Sequence, residues 1–386
     1  MPFFPPYLSK IRRLFPPNPW LFFPPIASFC LWLALSPPKK PKPPSPFVQV
    51  KNGHFLLKGK KFFFSGANNY YLHYASYAAI DDVLKSAVKM RLKVLRCFAF
   101  LDGVKKNGLV IQPRLGTYRP EGLERLDYTI MQAKKLGLKL ILVLTNNWPD
   151  FGGIPQYEKW GISKQHFWQN PRHFQNYISF ILHHKNIYTG TRYKDDPTIM
   201  AWELCNEPRW PADPSGRTIT SWTKKVATFL RSIDPNHLIA LGDEGFLQIQ
   251  SSDWTYSGKM GVDWEAVLAL KAIDFGTLHL WPNDWKKSLS WSIQWLKDHL
   301  DIGRRLGKPV VLEEYGWRSF PQRDGIYRQW NELIYRQNGA GMLVWLLTGK
   351  DGRGKLYPNY DGYRVIYPSS TAQILREYAK KMAEKS

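Results

Sequence analysis

Two short segments of this 386-residue chain carry carboxylates where apolar strands should end. Residues 198–209, TIMAWELCNEPR, form a β-branched, apolar run that stops at Asn206-Glu207-Pro208. Residues 308–316, KPVVLEEYG, repeat the pattern and stop at Glu313-Glu314. A carboxyl group at the tip of each of two buried strands is the pairing that glycosidic bond cleavage needs. One must be protonated to release the leaving oxygen, and the other ionised on the far side of the sugar ring. Strand alternation turns only one of Glu313 and Glu314 toward a pocket, and the residue types do not say which.

The elements that must hold these groups are legible from periodicity. Apolar strands are predicted over 62–66, 92–98, 138–145, 198–204, 237–242, 274–280, 308–314 and 340–346. Helical patterns lie between them, at 81–90, 123–136, 171–184, 221–233, 290–306 and 327–337, and KKLGLKL and RRLGKPV each place a Gly at a helix stop. Before the first strand, residues 47–57 predict a hairpin turning at Asn52-Gly53. Eight strands alternating with helices predict a (β/α)8 TIM barrel with an N-terminal β-hairpin. A doubly wound open sheet would be the other choice, but no GxGxxG follows the first strand.

In such a barrel the strand C-termini carry the chemistry. Here they carry Arg96, Thr145-Asn146-Asn147-Trp148, Asn206-Glu207, His279-Leu280-Trp281, Glu313-Glu314-Tyr315 and Trp345. Singly each has a plainer reading. Arg96 could be a structural ion pair, His279 a satisfied core histidine, Asn206 the opening of a turn before Pro208, and Trp345 barrel filling. Six converging ends are harder to read as accident.

Composition bounds the alternatives. With 44% hydrophobic and 22% charged residues the chain is ordinary for a globular protein, while 17 tryptophans leave a surplus suited to sugar faces. The net charge of +23 raises nucleic acid as a partner. No basic stripe, zinc-ligand spacing or recognition helix accompanies it, so the charge reads as a basic surface suited to its medium or to anionic cell-wall material. Cys30, Cys97 and Cys205 form no CxxC or Cys/His cluster, and no metal or cofactor is expected.

Residues 1–46 hold Lys10, Arg12, Arg13, Lys39, Lys40 and Lys42 and no acid. Cations precede an apolar run over 20–35, which contains Pro24-Pro25 and falls short of the roughly 20 residues that span a bilayer. This predicts a signal peptide or signal anchor over 1–36, a Pro-rich linker over 37–46 and a catalytic domain over 47–386. The protein is expected to be secreted or held at the cell surface, with membrane attachment possible through the apolar segment.

Several segments together resemble glycoside hydrolase family 5, and within it the endo-β-1,4-mannanases. They are NNWPDFGGIPQYEKWG (146–161), YKDDPTIMAWELCNEPR (193–209), GDEGF (242–246), DFGTLHLWP (274–282) and EEYG (313–316), in the expected order. The resemblance implies retaining endo-hydrolysis of β-1,4-mannosidic bonds in mannan, glucomannan or galactomannan, without a cofactor; a monomer is expected, though the sequence does not give the oligomeric state. It implies Glu207 as acid/base and Glu314 as nucleophile, which makes Glu313 structural. It further implies Asn206 on the sugar 2-hydroxyl, Arg96 holding Glu314 ionised, His279 completing the site around the acid/base, and Trp345 as the floor. Many mannanases have Tyr where this chain has Trp281, so the hydroxyl contact to the nucleophile is expected to be rearranged, or supplied by Tyr315 or another group. Trp148, Trp210 and Trp285 are expected to line the cleft, and Arg209 to meet the sugar on the leaving-group side. A family 5 β-glucanase and a non-catalytic glycan-binding barrel are the alternatives. The second would be expected to lose a glutamate.

Overall fold

The computed structural model describes residues 45–386. The expected signal or anchor, Cys30 and the linker up to residue 44 lie outside the described residues. Eight strands run parallel: β1 (Phe64–Asn68), β2 (Val94–Phe98), β3 (Lys139–Val143), β4 (Ile199–Glu203), β5 (Leu238–Ala240), β6 (Gly276–Leu280), β7 (Val310–Tyr315) and β8 (Gly341–Val344). Hydrogen-bonded neighbours follow the order β5-β4-β3-β2-β1-β8-β7-β6. The seam between β5 and β6 is closed by fewer bonds. The Asp274 N–H donates to Ile239 O at 2.9 Å, the Ile239 N–H to Asp274 Oδ2 at 2.7 Å, and the His279 N–H to Glu244 O at 3.1 Å. With helices between the strands, this is the (β/α)8 barrel predicted from the alternation.

The helices form where apolar residues recur at helical spacing and where their ends are satisfied. The first, α1 (Tyr77–Lys89), starts before its predicted residue 81 because Ser76 Oγ accepts the Ala79 N–H at 3.3 Å. The second, α2 (Glu124–Leu136), stops at Gly137, whose φ of 70° a side chain would resist. Chain order continues with α3 (Gly153–Lys159), α4 (Lys164–Gln169), α5 (Arg172–His183), α6 (Arg217–Ile233), α7 (Trp264–Leu268), α8 (Pro282–Trp285), α9 (Leu289–Leu306), α10 (Phe320–Arg336) and α11 (Ser370–Glu384). Among the described residues no helix is long and apolar enough to cross a membrane.

The hairpin pairs Gln49–Lys51 with His54–Leu57 across Asn52 (φ 52°) and Gly53 (φ 73°), the two positive angles that a tight hairpin turn demands. A short third strand, Lys60–Lys61, pairs on its other side. Val48 and Phe55 join Phe64, Val94, Ile141, Val311 and other strand-start residues in one buried cluster. The hairpin therefore plugs the N-terminal mouth of the barrel and leaves the C-terminal mouth open for a site.

Candidate active site

Arg96, on β2, is the hub of the C-terminal mouth and is 1% exposed. Its Nε donates to Glu203 Oε2 at 2.7 Å, and its Nη2 donates to Glu203 Oε1 and, at 2.7 Å, to Asn206 Oδ1. Its Nη1 donates to Glu314 Oε1 at 2.5 Å and to Asn68 Oδ1 at 3.1 Å. Five N–H donors in a planar fork allow this division, which a lysine could not reproduce. Neither Glu203 nor Asn68 stands out in the sequence. Glu203 reads there as one more residue of a buried strand, and β1 runs two residues past its predicted end, which brings Asn68 into the mouth.

The Glu313-Glu314 ambiguity has an unexpected resolution. Pairing of β7 with β6 slips between Leu312 and Glu314, so strict alternation fails there. Both carboxylates consequently turn inward. Glu314 lines the cleft, while Glu313 is fully buried below it, with Oε2 at 3.5 Å from both Arg96 Nε and His279 Nε2. Only Glu314 reaches the cleft, as alternation required, and the irregularity adds Glu313 beneath it instead of on the helix side.

Glu207 stands at the end of β4 with φ 50°, its N–H donating to Gly242 O at 2.8 Å. His279 Nδ1 lies 2.7 Å from Glu207 Oε1 and 3.5 Å from Glu314 Oε2. The Trp148 indole N–H donates to Glu207 Oε2 at 2.5 Å. Asn206 Nδ2 donates to Asn146 Oδ1 at 3.0 Å, which fixes its amide while Arg96 takes its oxygen. A Glu207 oxygen, a Glu314 oxygen and a His279 nitrogen all lie within 4.8 Å of one another. Three such ligand atoms could in principle hold a cation. Here the hydrogen bonds of His279 and Trp148 to Glu207, and of Arg96 to Glu314, already engage them, and a guanidinium at 2.5 Å makes the place unfavourable for a second positive charge.

Burial lifts Glu314, helped by the charges of Glu207 and Glu313 and opposed by His279 and Arg96, and the balance is a raised pKa. Arg96 shares its charge among Glu203, Glu313 and Glu314, and on Glu314 it acts in the direction the resemblance implied, lowering the carboxyl against its burial. Burial also acts to raise Glu207. The hydrogen bond and charge of His279, the charge of Arg209 and the Trp148 bond outweigh it and hold Glu207 below the usual value. Against its own burial, His279 is raised well above an ordinary imidazole by Glu314, Glu207 and Glu313.

The cleft above these groups holds about 800 Å³, enough to enclose a sugar chain segment. Trp345 lies across it, its Nε1 donating to Asp361 Oδ2 at 2.7 Å and its ring edge-on to Trp281 at 5.9 Å. Trp281 lines the cleft but is only 8% exposed, because Tyr363 packs on it at 4.7 Å. Trp148, Trp285 and Arg209 also line it. Glu244 clamps Arg209 by two bonds at 2.6 and 2.5 Å, and the guanidinium lies 5.1 Å from the Trp148 ring and 5.0 Å from Phe246. The lining includes three cations, Lys106, Arg209 and Arg318, against six carboxyl groups: Asp150, Glu207, Glu244, Asp284, Glu314 and Asp361.

Two expected site residues stay outside. Tyr315 is 1% exposed and packs edge-on against Tyr327 and Trp330 of α10, because the side chain after Glu314 turns to the helix layer. It does not replace the hydroxyl that Trp281 lacks; the groups that reach Glu314 are Arg96 and, at 3.5 Å, His279. Trp210 is half-buried and not part of the cleft wall; its N–H donates to Met260 O at 3.0 Å, and the chain beyond it leads away toward α6.

The sequence matches the profile of a family described as GH family 5 beta-mannosidase-like, over residues 45–170 and 163–334. Mannan endo-1,4-beta-mannosidase 1 of Solanum lycopersicum is 36% identical over 374 residues, covering 88% of this chain and 92% of the relative. Putative mannan endo-1,4-beta-mannosidase 4 of Arabidopsis thaliana is 33% identical over 382 residues, with the same two shares. Among solved structures, the endo-beta-1,4-mannanase from Thermotoga petrophila aligns with 44% identity and a TM-score of 0.80, over 85% of this chain and 78% of that one. The endo-1,4-beta-mannanase from Rhizomucor miehei aligns with 34% identity and a TM-score of 0.82, over 88% and 99%.

Proposed function

This chain belongs to glycoside hydrolase family 5, in its β-mannosidase-like group, and we propose that it is a retaining endo-β-1,4-mannanase. The observation that carries the reading is the approach of a Glu207 oxygen and a Glu314 oxygen to within 4.8 Å at the ends of two barrel strands. Inverting enzymes keep their carboxyl groups roughly 6.5–9.5 Å apart to admit a water; double displacement needs them close.

In this mechanism a β-1,4-linked chain lies across the cleft over Trp345. Glu207 gives its proton to the leaving glycosidic oxygen as a Glu314 oxygen bonds to the anomeric carbon and the C–O bond breaks. Water then gives a proton to Glu207, its oxygen attacks the same carbon, and the ester to Glu314 breaks with its electron pair. In the free cleft His279, Arg209 and Trp148 lower Glu207, and burial raises Glu314. A bound sugar dehydrates Glu207, which raises it, while positive charge growing at the anomeric carbon favours ionised Glu314.

Asn206 is assigned to the sugar 2-hydroxyl, His279 to orienting the acid/base, and Arg209 with Trp148 to the leaving-group side. The deciding experiment is release of reducing ends from mannan, glucomannan, cellulose and xylan. Mannan or glucomannan should be cut fastest, and equal or faster release from cellulose would move the reading to a β-glucanase.

The reading includes a monomer exported to the medium or the cell surface, supported by the cations ahead of the apolar run at 20–35. Light scattering of the purified protein tests the first point. Fractionation of producing cells tests the second, and recovery of the uncut chain in the cytosol would reject export.

A further inference from the structure

We propose that Asp361 is a positioning residue for the reaction, setting the tilt of the Trp345 ring by accepting its indole N–H. The proposal rests on reading the protein as a retaining mannanase with Trp345 as the floor of its cleft. It names a residue on which the rate depends besides the two glutamates and their immediate partners.

Trp345 needs such a contact. Its backbone N–H donates to Tyr315 O at 3.0 Å, which fixes the main chain but not the ring. The ring meets Tyr70 at 5.6 Å and Trp281 at 5.9 Å. Aromatic faces at these separations attract without a sharp directional preference, so the ring can tilt between them. The indole N–H is the one hydrogen-bonding group of the side chain, and it donates to Asp361 Oδ2 at 2.7 Å.

Asp361 reaches the floor on a long loop over residues 349–364. The loop leaves from Leu347–Thr348 and returns at Val365–Ile366, which pair in parallel. Long loops in compact domains commonly serve a site, and Tyr357, Tyr360, Asp361 and Tyr363 of this one line the cleft. The loop is seated without the Asp361 side chain. Arg323 of α10, fully buried, donates from Nη2 to Gly362 O at 2.8 Å, from Nη1 to Arg364 O at 3.1 Å and from Nε to Trp317 O at 2.6 Å. The Tyr363 hydroxyl donates to Asp284 Oδ2 at 2.7 Å. Arg318 donates to the Asp361 backbone oxygen at 3.0 Å and pairs its charge with Asp284 at 2.6 Å.

The two carboxylate oxygens have separate tasks. Oδ2 takes the indole, and Oδ1 accepts the Tyr363 backbone N–H at 2.9 Å. Asparagine has the same shape but a single acceptor, so its NH2 group would face one of these two donors whichever way the amide turns. A tilted floor should act on rate more than on binding. The rest of the cleft still holds the chain, whereas the ring at the cleaved bond must flatten over Trp345 as the transition state forms.

The test is a double-mutant cycle in the full chain with Asp361→Asn and Trp345→Phe, which keeps a ring and removes the N–H. Asp361→Asn alone should lower kcat on mannan about tenfold and leave KM within about twofold. In the Trp345→Phe background the same change should cost less than about twofold, because the donor it serves is gone. A loosened loop, or a bond from Asp361 to a sugar hydroxyl, would act whichever ring stands at position 345, and the two losses would then multiply. A substrate-free measurement accompanies the cycle: indole 15N–1H spectra, with the Trp345 signal assigned by its loss in Trp345→Phe. In Asp361→Asn that signal should move upfield and exchange faster with solvent. Parental kcat in Asp361→Asn, multiplying losses in the double variant, or an unmoved indole signal would each overturn the proposal. Absence of mannan hydrolysis in the parent, with the indole signal shifting as expected, would count against the enzymatic reading alone.

Discussion

The Trp148 indole N–H donates to Glu207 Oε2 at 2.5 Å, although Trp148 is 37% exposed and sits on a loop. An aromatic at the rim of the cleft thus bears directly on the protonation of the carboxyl group assigned as acid/base. A donor to a carboxylate favours its ionised form. Trp148→Phe keeps a ring over Arg209 and removes the donor, so Glu207 should titrate higher in the free enzyme. The acid must be protonated to act, and the alkaline limb of kcat/KM should move to higher pH. A plain loss of packing would lower kcat/KM without moving that limb.

Glu207 and Glu314 should fail differently when removed. Glu314→Ala should abolish covalent chemistry on every substrate. Glu207→Ala should spare glycosylation from an aryl mannoside with a good leaving group and slow deglycosylation. Azide, which needs no general base, should then accelerate the second step and give the β-mannosyl azide. With Glu314→Ala, azide can only attack from the opposite face and give the α-azide. The same anomer from both variants would overturn the two assignments.

Arg96→Lys should be severe. Three donors cannot meet Glu203, Asn206, Asn68 and Glu314 in the geometry that the guanidinium serves. Carboxylates buried without their partner cost on the order of 3–5 kcal/mol. We expect a melting temperature lower by several degrees, with kcat down at least about a hundredfold in the surviving enzyme. Near-normal kcat would show that Arg96 is only scaffolding.

Asp102 gives a stability test away from the chemistry. It is buried at the end of the β2 loop, its Oδ1 accepts the Gln112 Nε2–H at 3.1 Å, and burial pushes it up to about 8. Its folded pKa lies above the unfolded value, so the stability it contributes is complete below about pH 4 and is lost as pH rises through about 8. Asp102→Asn keeps the amide contact and cannot ionise. Its melting temperature should gain on the parent by a few degrees between about pH 5 and 8. A pH-independent difference would show that Asp102 is already ionised in the folded state.

How much of this is legible in the sequence differs residue by residue. Asn206-Glu207 and the Glu313-Glu314 pair can be read because a packed core has no use for a carboxylate at the tip of an apolar run, and barrel geometry gathers strand ends by itself; the choice of Glu314 within the pair comes from the family resemblance. The hairpin turn at Asn52-Gly53 is equally local, since positive φ at both positions selects those residues. The inward turn of Glu313 is not legible, because it depends on a register slip against β6 that no single strand encodes. Glu203 is hidden for the same reason: a glutamate within a buried strand becomes meaningful only when Arg96, distant in sequence, arrives across the barrel. Tyr315 and Trp210 show the converse, residue types suited to sugar binding that packing directs elsewhere. Local chemistry is written in adjacent residues. The sharing of one guanidinium among three carboxylates, and the opposite pulls of neighbours on Glu207 and Glu314, belong to distances between strands, which only the closed barrel sets.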